Sequence, residues 1–456
     1  MSGHMLMVLL AYGMQLTCLF RGVYGTATNF TNSKLLVIVL DGLRWDAVNT
    51  TRAQPCPPEG ACVVGQYFTA VQEEGATAAW MAPVFPTTAA PNIFTMATGE
   101  LPVDHGVLGE LESGGEWNLS SAATPLWGSA AQLGLKTALL RWLDCSALHE
   151  QDDLVSCVDR VQVAGVDNLL VQVVGDAALA ADSIINQGYS VVLMRSEALM
   201  WTALHYGLGS GEAKTMFREV ELVLDDLFRE LKAAAIWDEL SVVLTSGSGL
   251  TSVRPVATKG SDLGACLATD PSAPRMRYAS AGSVLLMPGG GGTADQVIQK
   301  LQNCSSIPNG ALRIYKMSDL AKEDQWPGEP EEILIIANPG FSLEWNTRDH
   351  RTAHEMEETL SGAGVGRGHL AGNGFSALDW DMKGIFMVKG PGIQHGVTGP
   401  SVSSHDVHSV LQHLMKVPVQ ESRWQEVSWI AVPSSTSSKN LSLTVMLLSF
   451  FMICID

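Results

Sequence analysis

The sequence predicts a layered α/β domain built around a mostly parallel central sheet. Residues 35–40 (LLVIVL) are six apolar residues in a row and are rich in β-branched types, as expected of a strand buried on both faces of a parallel sheet. Segments with helical spacing separate this run from other apolar runs, and such alternation is typical of α/β folds. Those other runs are residues 190–194, 241–245, 283–287 and 333–336.

Four segments carry the apolar spacing of helices that would cover the sheet. The clearest lies between residues 211 and 235, where charged residues separate apolar positions. Similar patterns occupy residues 124–133, 177–185 and 405–415. The glycine tract at residues 289–292 is predicted to be a loop and not a phosphate-binding turn, because no Gly-Lys-Ser or Gly-Lys-Thr follows it.

The composition narrows the classes of partner. The chain has 456 residues, of which 46% are hydrophobic, so it is long enough for one large domain or two medium ones. Its 28 basic and 47 acidic residues give a net charge of −19, and the sequence contains no run of consecutive Lys or Arg residues. Nucleic acids and anionic lipid surfaces are therefore not expected as partners.

Residues 1–27 are predicted to be a secretory signal peptide. The apolar segment at residues 5–20 has about the length of a signal core, and the small residues at 25–27 suit a cleavage site. Only His4 stands where basic residues are usual. The alternative is a chain whose true start lies elsewhere.

Residues 431–456 are predicted to be a Ser/Thr linker followed by a GPI-type signal. The apolar tail at residues 441–455 is shorter than the roughly 20 residues of a membrane-spanning helix. Ser434, Ser435 and Ser437 are candidate attachment residues. The alternatives are a hydrophobic tail anchor and an unused tail. Residues 28–430 remain for the folded domain.

The cysteines fit an oxidising compartment. Without Cys18 and Cys454, which lie in the two terminal signals, six cysteines remain, an even number that permits three disulfides. The pairings that close the shortest loops join Cys56 to Cys62, Cys145 to Cys157, and Cys266 to Cys304. Sequence alone leaves every connectivity open. Glycosylation sequons, which also suit an extracellular protein, occur at Asn29, Asn49, Asn118 and Asn303.

Asp41 and Gly42 follow the first apolar strand directly. In open parallel sheets, ligands collect at the carboxyl ends of the strands, so Asp41 is a candidate site residue. The alternative is a turn, for which Asp-Gly is a common pair.

Several motifs resemble the ectonucleotide pyrophosphatase/phosphodiesterases of the alkaline phosphatase superfamily. The resemblance extends from about residue 35 to residue 427 and is most similar to the glycerophosphocholine choline phosphodiesterase branch, whose members are GPI-anchored. It implies a layered αβα alkaline-phosphatase-like fold in which the runs at 35–40, 190–194 and 241–245 are adjacent parallel strands. It also implies a bridge between Cys145 and Cys157. The motifs are LLVIVLDGLRWD (35–46), PVFPTTAAPNIFTMATGELPVDHGVLG (83–109), TPLW (124–127), HYG (205–207), DMKGIFMVKGP (381–391) and HDVHSVLQHLMKVP (405–418).

Active members of that family use two zinc ions held by three Asp and three His, and a Thr or Ser at a helix N-terminus attacks phosphorus. Two cations about 4 Å apart activate the nucleophile and neutralise the phosphoryl oxygens, and the helix adds backbone N–H donors. The resemblance places the first metal ligand at Asp41 and the nucleophile at Ala89, which has no hydroxyl. Thr87 and Thr88 are neighbours that a displaced nucleophile would use.

The other positions of the implied site have also lost their chemistry. The phosphoryl-binding asparagine corresponds to Glu110, whose charge would repel a phosphate. One zinc ligand cannot assemble a two-metal site, so the resemblance implies a degenerate one. The five remaining ligand positions are Met200, Leu204, Gly247, Ser248 and Asn373.

Three other groups of residues are candidates to supply replacement metal ligands. His205 lies beside the Leu204 position but lacks an Asp partner. Asp104 and His105 match a structural turn of the family, and a second histidine pair lies in an acidic segment that is expected to be solvated. That segment contains His350, His354, Glu355 and Glu358.

These observations predict an extracellular pseudophosphodiesterase on the outer face of the plasma membrane or secreted, with a binding or scaffold role and no cofactor. Its partner would be an unknown extracellular protein or small ligand, and a lipid anchor would hold it to the membrane. The alternative is an active phosphodiesterase or phospholipase C-type hydrolase of phosphocholine or nucleotide esters that uses displaced residues and a pair of zinc ions. A third interpretation is an inert surface glycoprotein.

Overall fold

The computed structural model describes residues 34–48, 68–109, 124–143, 153–159, 165–253, 260–267, 274–320, 329–344, 370–417, 419 and 421–432. The terminal signals, the sequons at Asn29, Asn49 and Asn118, and Cys56, Cys62 and Cys145 lie outside these residues.

The strands are numbered in chain order. They are β1 (Lys34–Leu40), β2 (Gly75–Ala78), β3 (Met81–Ala82), β4 (Thr137–Leu140), β5 (Val155–Val158), β6 (Val191–Ser196), β7 (Leu240–Thr245), β8 (Thr251–Ser252), β9 (Gly260–Asp262), β10 (Arg275–Ala279), β11 (Ser283–Met287), β12 (Leu312–Lys316), β13 (Ile333–Ala337), β14 (Ser342–Glu344), β15 (Ala371–Gly372), β16 (Phe386–Lys389), β17 (Val397–Gly399) and β18 (Val402–Ser403).

The α-helices are numbered in the same way. They are α1 (Thr69–Glu73), α2 (Ala89–Thr98), α3 (Pro102–His105), α4 (Leu126–Gln132), α5 (Val166–Ile185), α6 (Ala198–Tyr206), α7 (Gly211–Ala233), α8 (Leu263–Leu267), α9 (Ala294–Gln302), α10 (Ser404–Leu414) and α11 (Glu421–Val427). Short 3₁₀ turns span Met317–Asp319, Trp380–Met382 and Ser428–Ile430.

The main sheet has eight strands in the order β17-β2-β16-β7-β1-β6-β4-β5. Strand β1 pairs in parallel with β6 on one side and with β7 on the other, so that Leu40 lies opposite Ser196 and Val39 opposite Thr245. Only β16 pairs antiparallel with its neighbours in this sheet. The predicted mostly parallel sheet and its three adjacent strands are therefore confirmed, and the carboxyl ends of β1, β6 and β7 meet at one edge.

The sheet separates two hydrophobic cores, because successive side chains of a strand point to opposite faces. The odd-numbered residues of β1 from Leu35 to Val39 pack in a core with α2 and α10. The even-numbered residues from Leu36 to Leu40 pack in a core with α5 and α7. Helix α5 is also long and apolar enough to cross a membrane, but one of its faces fills the second core. The result is the predicted three-layer arrangement.

A second sheet contains the apolar runs at residues 283–287 and 333–336. It is an antiparallel sheet in the order β10-β11-β13-β12, so these runs do not extend the parallel sheet. Alternate residues of β11 and β13 pack in two different clusters on the two faces of the second sheet. A strand buried on both faces gives the same apolar run in either sheet, which is why the sequence does not separate them.

The predicted helices and one predicted disulfide are present with small differences. Helices α4, α7 and α10 end within two residues of the predicted ends, whereas α5 begins at Val166, eleven residues before the predicted start. Cys266 and Cys304 form a disulfide, which confirms that pair. Cys157 is also disulfide-bonded, and its partner lies outside the described residues. Asn303, beside the bridged Cys304, is exposed.

Candidate active site

Asp41 lies at the edge where β1, β6 and β7 end. Its backbone N–H donates to the Ser196 carbonyl oxygen at 2.9 Å, which ties the end of β1 to the end of β6. The neighbouring Gly42 N–H donates to the Ser248 carbonyl oxygen at 3.2 Å, which ties it to the loop after β7. Asp41 is fully buried, so its carboxylate projects into the protein at the convergence of three strands.

Gly247 and Ala89 meet Asp41 at this edge. A Cβ atom placed on Gly247 would lie 2.7 Å from Oδ1 of Asp41 and 3.1 Å from Cβ of Ala89. The position predicted for the nucleophile and two positions predicted for metal ligands are therefore in direct contact. None of the three except Asp41 carries a donor atom on its side chain.

Asn92 fixes the start of helix α2, where Ala89 is the first residue. Its Oδ1 accepts from the Val84 N–H at 2.7 Å, and its Nδ2 donates to the carbonyl oxygens of Pro86 and Thr88 at 3.1 and 2.9 Å. The Ser404 hydroxyl donates to the same Oδ1 at 2.6 Å. These four hydrogen bonds fix the loop that places Ala89 at the start of the helix.

The neighbouring threonines serve the structure. The Thr87 hydroxyl donates to the Phe375 carbonyl oxygen at 2.6 Å. Thr88 contacts the phenol of Tyr278, whose pKa burial raises to about 12 in spite of hydrogen bonds with Ser280, Ser283 and Thr88. Both threonines are buried.

Met200 and Leu204 belong to an apolar cluster. Both are buried on α6, and they pack together with Ala203, Leu250 and Ala371. Where the resemblance places an Asp and a His one helical turn apart, this chain has a small hydrophobic core. His205 is exposed, and its Nδ1 lies 2.8 Å from the Trp201 carbonyl oxygen, so it does not replace the missing histidine.

Asn373 completes the group of converging positions. Its Nδ2 lies 4.0 Å from the sulfur of Met200, and the next residue, Gly374, donates its N–H to the Thr87 carbonyl oxygen at 3.1 Å. The side chain is buried. The structure therefore brings Gly247 into contact with Asp41 and Ala89, and it places Asn373 beside Met200.

The sequence analysis missed Arg195, which lies next to last in β6. Its Nε donates to Oδ2 of Asp41 at 2.6 Å, and both side chains have 0% exposure. Its Nη2 donates to Oε1 of Glu197 at 3.1 Å. The signal in the sequence was an arginine within the apolar run VVLMRS, a residue type that is almost never fully buried unless it is paired.

Charged and aromatic residues that follow β1 in the chain pack against the segment around residue 381. Arg44 bonds Asp46 at 2.6 Å and Asp381 at 3.0 Å. The Nζ of Lys383 lies 3.3 Å from the centre of the Trp380 ring and 4.7 Å from that of Trp80. Burial lowers the pKa of the Lys383 amine.

The remaining candidates are structural or lie outside the described residues. His105 is buried, its Nδ1 accepts from the Val107 N–H at 3.0 Å, and its Nε2 lies 3.1 Å from the Thr95 hydroxyl. Burial lowers its pKa to about 4, so it is a neutral residue of the α3 turn, while Asp104 is exposed. Glu110 lies outside the described residues, as do the four members of the acidic segment, His350, His354, Glu355 and Glu358.

The residues at this edge do not fit the pair of zinc ions that the resemblance implies. Zinc needs Cys, His, Asp or Glu donors, and here an arginine occupies the carboxylate of Asp41 while two of the other positions are apolar. Within the described ranges, no group of three His, Cys, Asp or Glu residues is arranged to hold a metal ion. We therefore derive no reaction step through zinc.

Comparisons with known proteins place this geometry in context. A sequence model described as type I phosphodiesterase/nucleotide pyrophosphatase matches residues 35–359. Ectonucleotide pyrophosphatase/phosphodiesterase family member 7 of Rattus norvegicus is 22% identical over 415 residues, covering 84% of this chain and 83% of the relative. Family member 5 of Homo sapiens is 21% identical over 415 residues, covering 84% of this chain and 74% of the relative.

Solved structures agree with the sequence comparison. Murine ectonucleotide pyrophosphatase/phosphodiesterase 5 matches with a TM-score of 0.68 at 18% identity, covering 87% of this chain and 100% of that chain. An inactive form of the same murine protein in complex with AMP matches with a TM-score of 0.67, at the same identity and coverage. At these identities, the structural likeness shows a shared fold.

Proposed function

Because the chain belongs to the type I phosphodiesterase/nucleotide pyrophosphatase family of the alkaline phosphatase superfamily, we propose that it is a non-catalytic member, displayed outside the cell, with a binding or scaffold role. The family consists of phosphodiester and pyrophosphate hydrolases. This chain keeps their fold and the convergence of their site loops, and it has exchanged the groups that perform the reaction.

The observation that carries the proposal is the contact between Gly247, Ala89 and Asp41. The resemblance implies a ligand aspartate at Gly247 and a nucleophile at Ala89, where the side chains here are a hydrogen atom and a methyl group. Neither can attack phosphorus or bind a cation. A single lost electrostatic contact of the oxyanion type lowers the rate by about 10²–10³, and several such losses compound.

A binding role is supported by the surface beside the degenerate site. Trp380 is 53% exposed and Leu378 is 85% exposed, and Gly249, two residues after Gly247, donates its N–H to the Met382 carbonyl oxygen of the same loop at 2.8 Å. Trp380 also packs against Trp45 and Trp80, and tryptophan is among the residue types enriched in binding hot spots. The partner proposed is an extracellular protein or a small ligand.

The extracellular location is supported by the predicted signal and by the cysteine chemistry. Cys266 and Cys304 are bridged, and disulfides persist in oxidising compartments. A lipid anchor at the C-terminus, with attachment at one of the serines near residue 435, remains part of the proposal. Release by a phosphatidylinositol-specific phospholipase C from transfected cells would test it, and retention of the protein on treated cells would contradict it.

The test of the non-catalytic proposal is the metal content and turnover of the purified, secreted domain. Elemental analysis should find no stoichiometric zinc, and neither phosphocholine esters nor nucleotide esters should be hydrolysed with zinc present. A catalytically active relative purified in parallel controls for loss of metal during preparation. Turnover that a chelator abolishes and zinc restores would instead establish the active hydrolase with displaced residues.

A further inference from the structure

We propose that the guanidinium of Arg195 has taken over the electrostatic role of the metal cations, so that Asp41 is held by an internal counter-charge and the site is closed to zinc. The part of this inference that concerns the absence of zinc rests on the proposed function. The pairing itself is independent of whether the protein hydrolyses anything.

The first step is the cost of a buried carboxylate. Asp41 and Arg195 both have 0% side-chain exposure, and an isolated carboxylate in such a place is strongly destabilising unless it is paired and hydrogen-bonded. In a two-metal site, cations would supply the pairing. Here Nε of Arg195, at 2.6 Å from Oδ2, supplies a charge-assisted hydrogen bond of the short, strong kind.

The second step is the direction from which the guanidinium arrives. In the register of the sheet, Arg195 lies beside Val39, and its alternate neighbours Val191 and Leu193 pack in the same core as Ala89. Side chains of a strand alternate between faces, so Arg195 projects on the face that carries the start of helix α2. The arginine therefore reaches Asp41 from the side on which the nucleophile position lies.

The third step is the total charge at this place. A single guanidinium bonds two carboxylates, since Nη2 also donates to Oε1 of Glu197 at 3.1 Å. Helix α2 has ten residues and directs its N-terminus, with its partial positive charge, at the same place. The formal charges of the guanidinium and the two carboxylates sum to −1, so net charge does not exclude a cation. A divalent cation entering here would instead have to displace the guanidinium from Oδ2 of Asp41.

The test is a double-mutant cycle read by urea unfolding, on the full secreted domain. The variants are Asp41→Asn, Arg195→Gln and their combination. Arg195→Gln should raise the unfolding equilibrium constant by about 10²-fold or more, because it leaves the Asp41 carboxylate buried without a counter-charge. Asp41→Asn should raise it by a smaller factor of about tenfold, because Arg195 keeps its bond to Glu197. The double variant should recover at least about tenfold relative to the product of the single effects.

A matched control uses an exposed pair of the same chemistry. Arg229 and Asp225 are 3.1 Å apart on α7, with side chains 67% and 33% exposed. Arg229→Gln should change the unfolding constant by about fivefold at most. Independent, additive effects of Asp41→Asn and Arg195→Gln would overturn the inference.

Failure of a variant to fold also tests the pairing of Asp41 with Arg195. If neither single variant is secreted, recovery of the double variant in the medium supports the pairing, and continued failure of the double variant contradicts it.

Dialysis against a chelator should leave the unfolding midpoint of the native protein unchanged. A midpoint that falls on chelation and returns with zinc would show that a metal, and not Arg195, balances Asp41. Hydrolysis with an intact coupling would defeat the proposed function and leave the pairing in place.

Discussion

The Nζ atom of Lys389 lies 3.8 Å from the centre of the Trp237 ring and donates a hydrogen bond to the Trp237 carbonyl oxygen. Lys389 is the last residue of β16 and is buried. Burial lowers the pKa of its amine to about 8, while Glu74 and Asp238 raise it and Lys232 lowers it further. Lys389 lies opposite Val242, whereas Phe386 at the other end of β16 lies opposite Thr245, the last residue of β7. The lowered pKa of this amine makes folding depend on pH.

Stability should therefore rise with pH above 8. In the unfolded chain the amine has a pKa near the ordinary 10.5, so between pH 8 and 10.5 the unfolded state binds more protons than the folded state, and the free energy of unfolding increases with pH. Below pH 8 the full penalty of the buried charge applies. Lys389→Met removes it and should be more stable than the native protein at pH 7 by about 1–2 kcal/mol.

Urea unfolding of the native protein and Lys389→Met at pH 7 and pH 10 measures this difference. The gap between the two proteins should narrow at the higher pH. A gap that is equal at both values would show that the amine keeps its ordinary pKa in the folded state.

The apolar cluster at Met200 and Leu204, two positions that the family resemblance assigns to metal ligands, should contribute to stability. Leu204 is buried with Met200 and Leu250, and Leu204→Ala should lower the free energy of unfolding by about 2–4 kcal/mol because it leaves a cavity. Leu378→Ala, at a leucine 85% exposed, is the matched control and should change it by less than about 0.5 kcal/mol. Equal effects of the two substitutions on urea midpoints would contradict the assignment of Leu204 to a core.

Restoring the nucleophile should not restore activity. Ala89→Thr alone supplies a hydroxyl but no cation to ionise it, so zinc content and turnover should stay at background. Introducing the ligands that the resemblance implies at the five other positions should not produce zinc binding while Arg195 still holds Asp41. Zinc should bind only when Arg195→Leu is added. The five substitutions are Met200→Asp, Leu204→His, Gly247→Asp, Ser248→His and Asn373→His.

Elemental analysis of both rebuilt chains, with and without Arg195→Leu, decides between the outcomes. Circular dichroism spectra of the two chains control for folding. Stoichiometric zinc in the chain that keeps Arg195 would mean that the guanidinium is no obstacle to the metal.

Cys157 should be bridged to Cys145. Cys157 is disulfide-bonded, and the family resemblance implies this partner, which lies twelve residues earlier in the chain. Peptide mapping of the secreted protein without reduction should recover a peptide that joins the two. A peptide that joins Cys157 to Cys56 or Cys62 would show a different connectivity.

Much of this architecture follows from local patterns in the sequence. The run at residues 35–40 predicts a buried strand because burial on both faces requires apolar residues at every position, and Asp41 directly after it marks the carboxyl edge. The positions of Ala89, Gly247 and Asn373 were predictable only through the family resemblance, since an alanine or a glycine carries no chemical signal of its own.

Arg195 was not predictable from its surroundings. Its partner Asp41 lies 154 residues earlier in the chain, and a single arginine in an apolar window is usually interpreted as the exposed end of a strand. The pairing depends on the register of β1 with β6, which no short window contains. The membership of residues 283–287 and 333–336 in a separate sheet was hidden for a similar reason, because pairing direction is a long-range property.

The ion pair between Asp41 and Arg195 also restricts the evolutionary routes that are open to this fold. A lineage could return to metal chemistry only by losing the arginine, and that loss by itself would leave a buried negative charge without a counter-ion. Losing the aspartate first would leave the arginine paired with Glu197 alone. For the non-catalytic chain proposed above, each single step toward metal chemistry therefore passes through a less stable protein, so the path that avoids this intermediate is a change of both residues together.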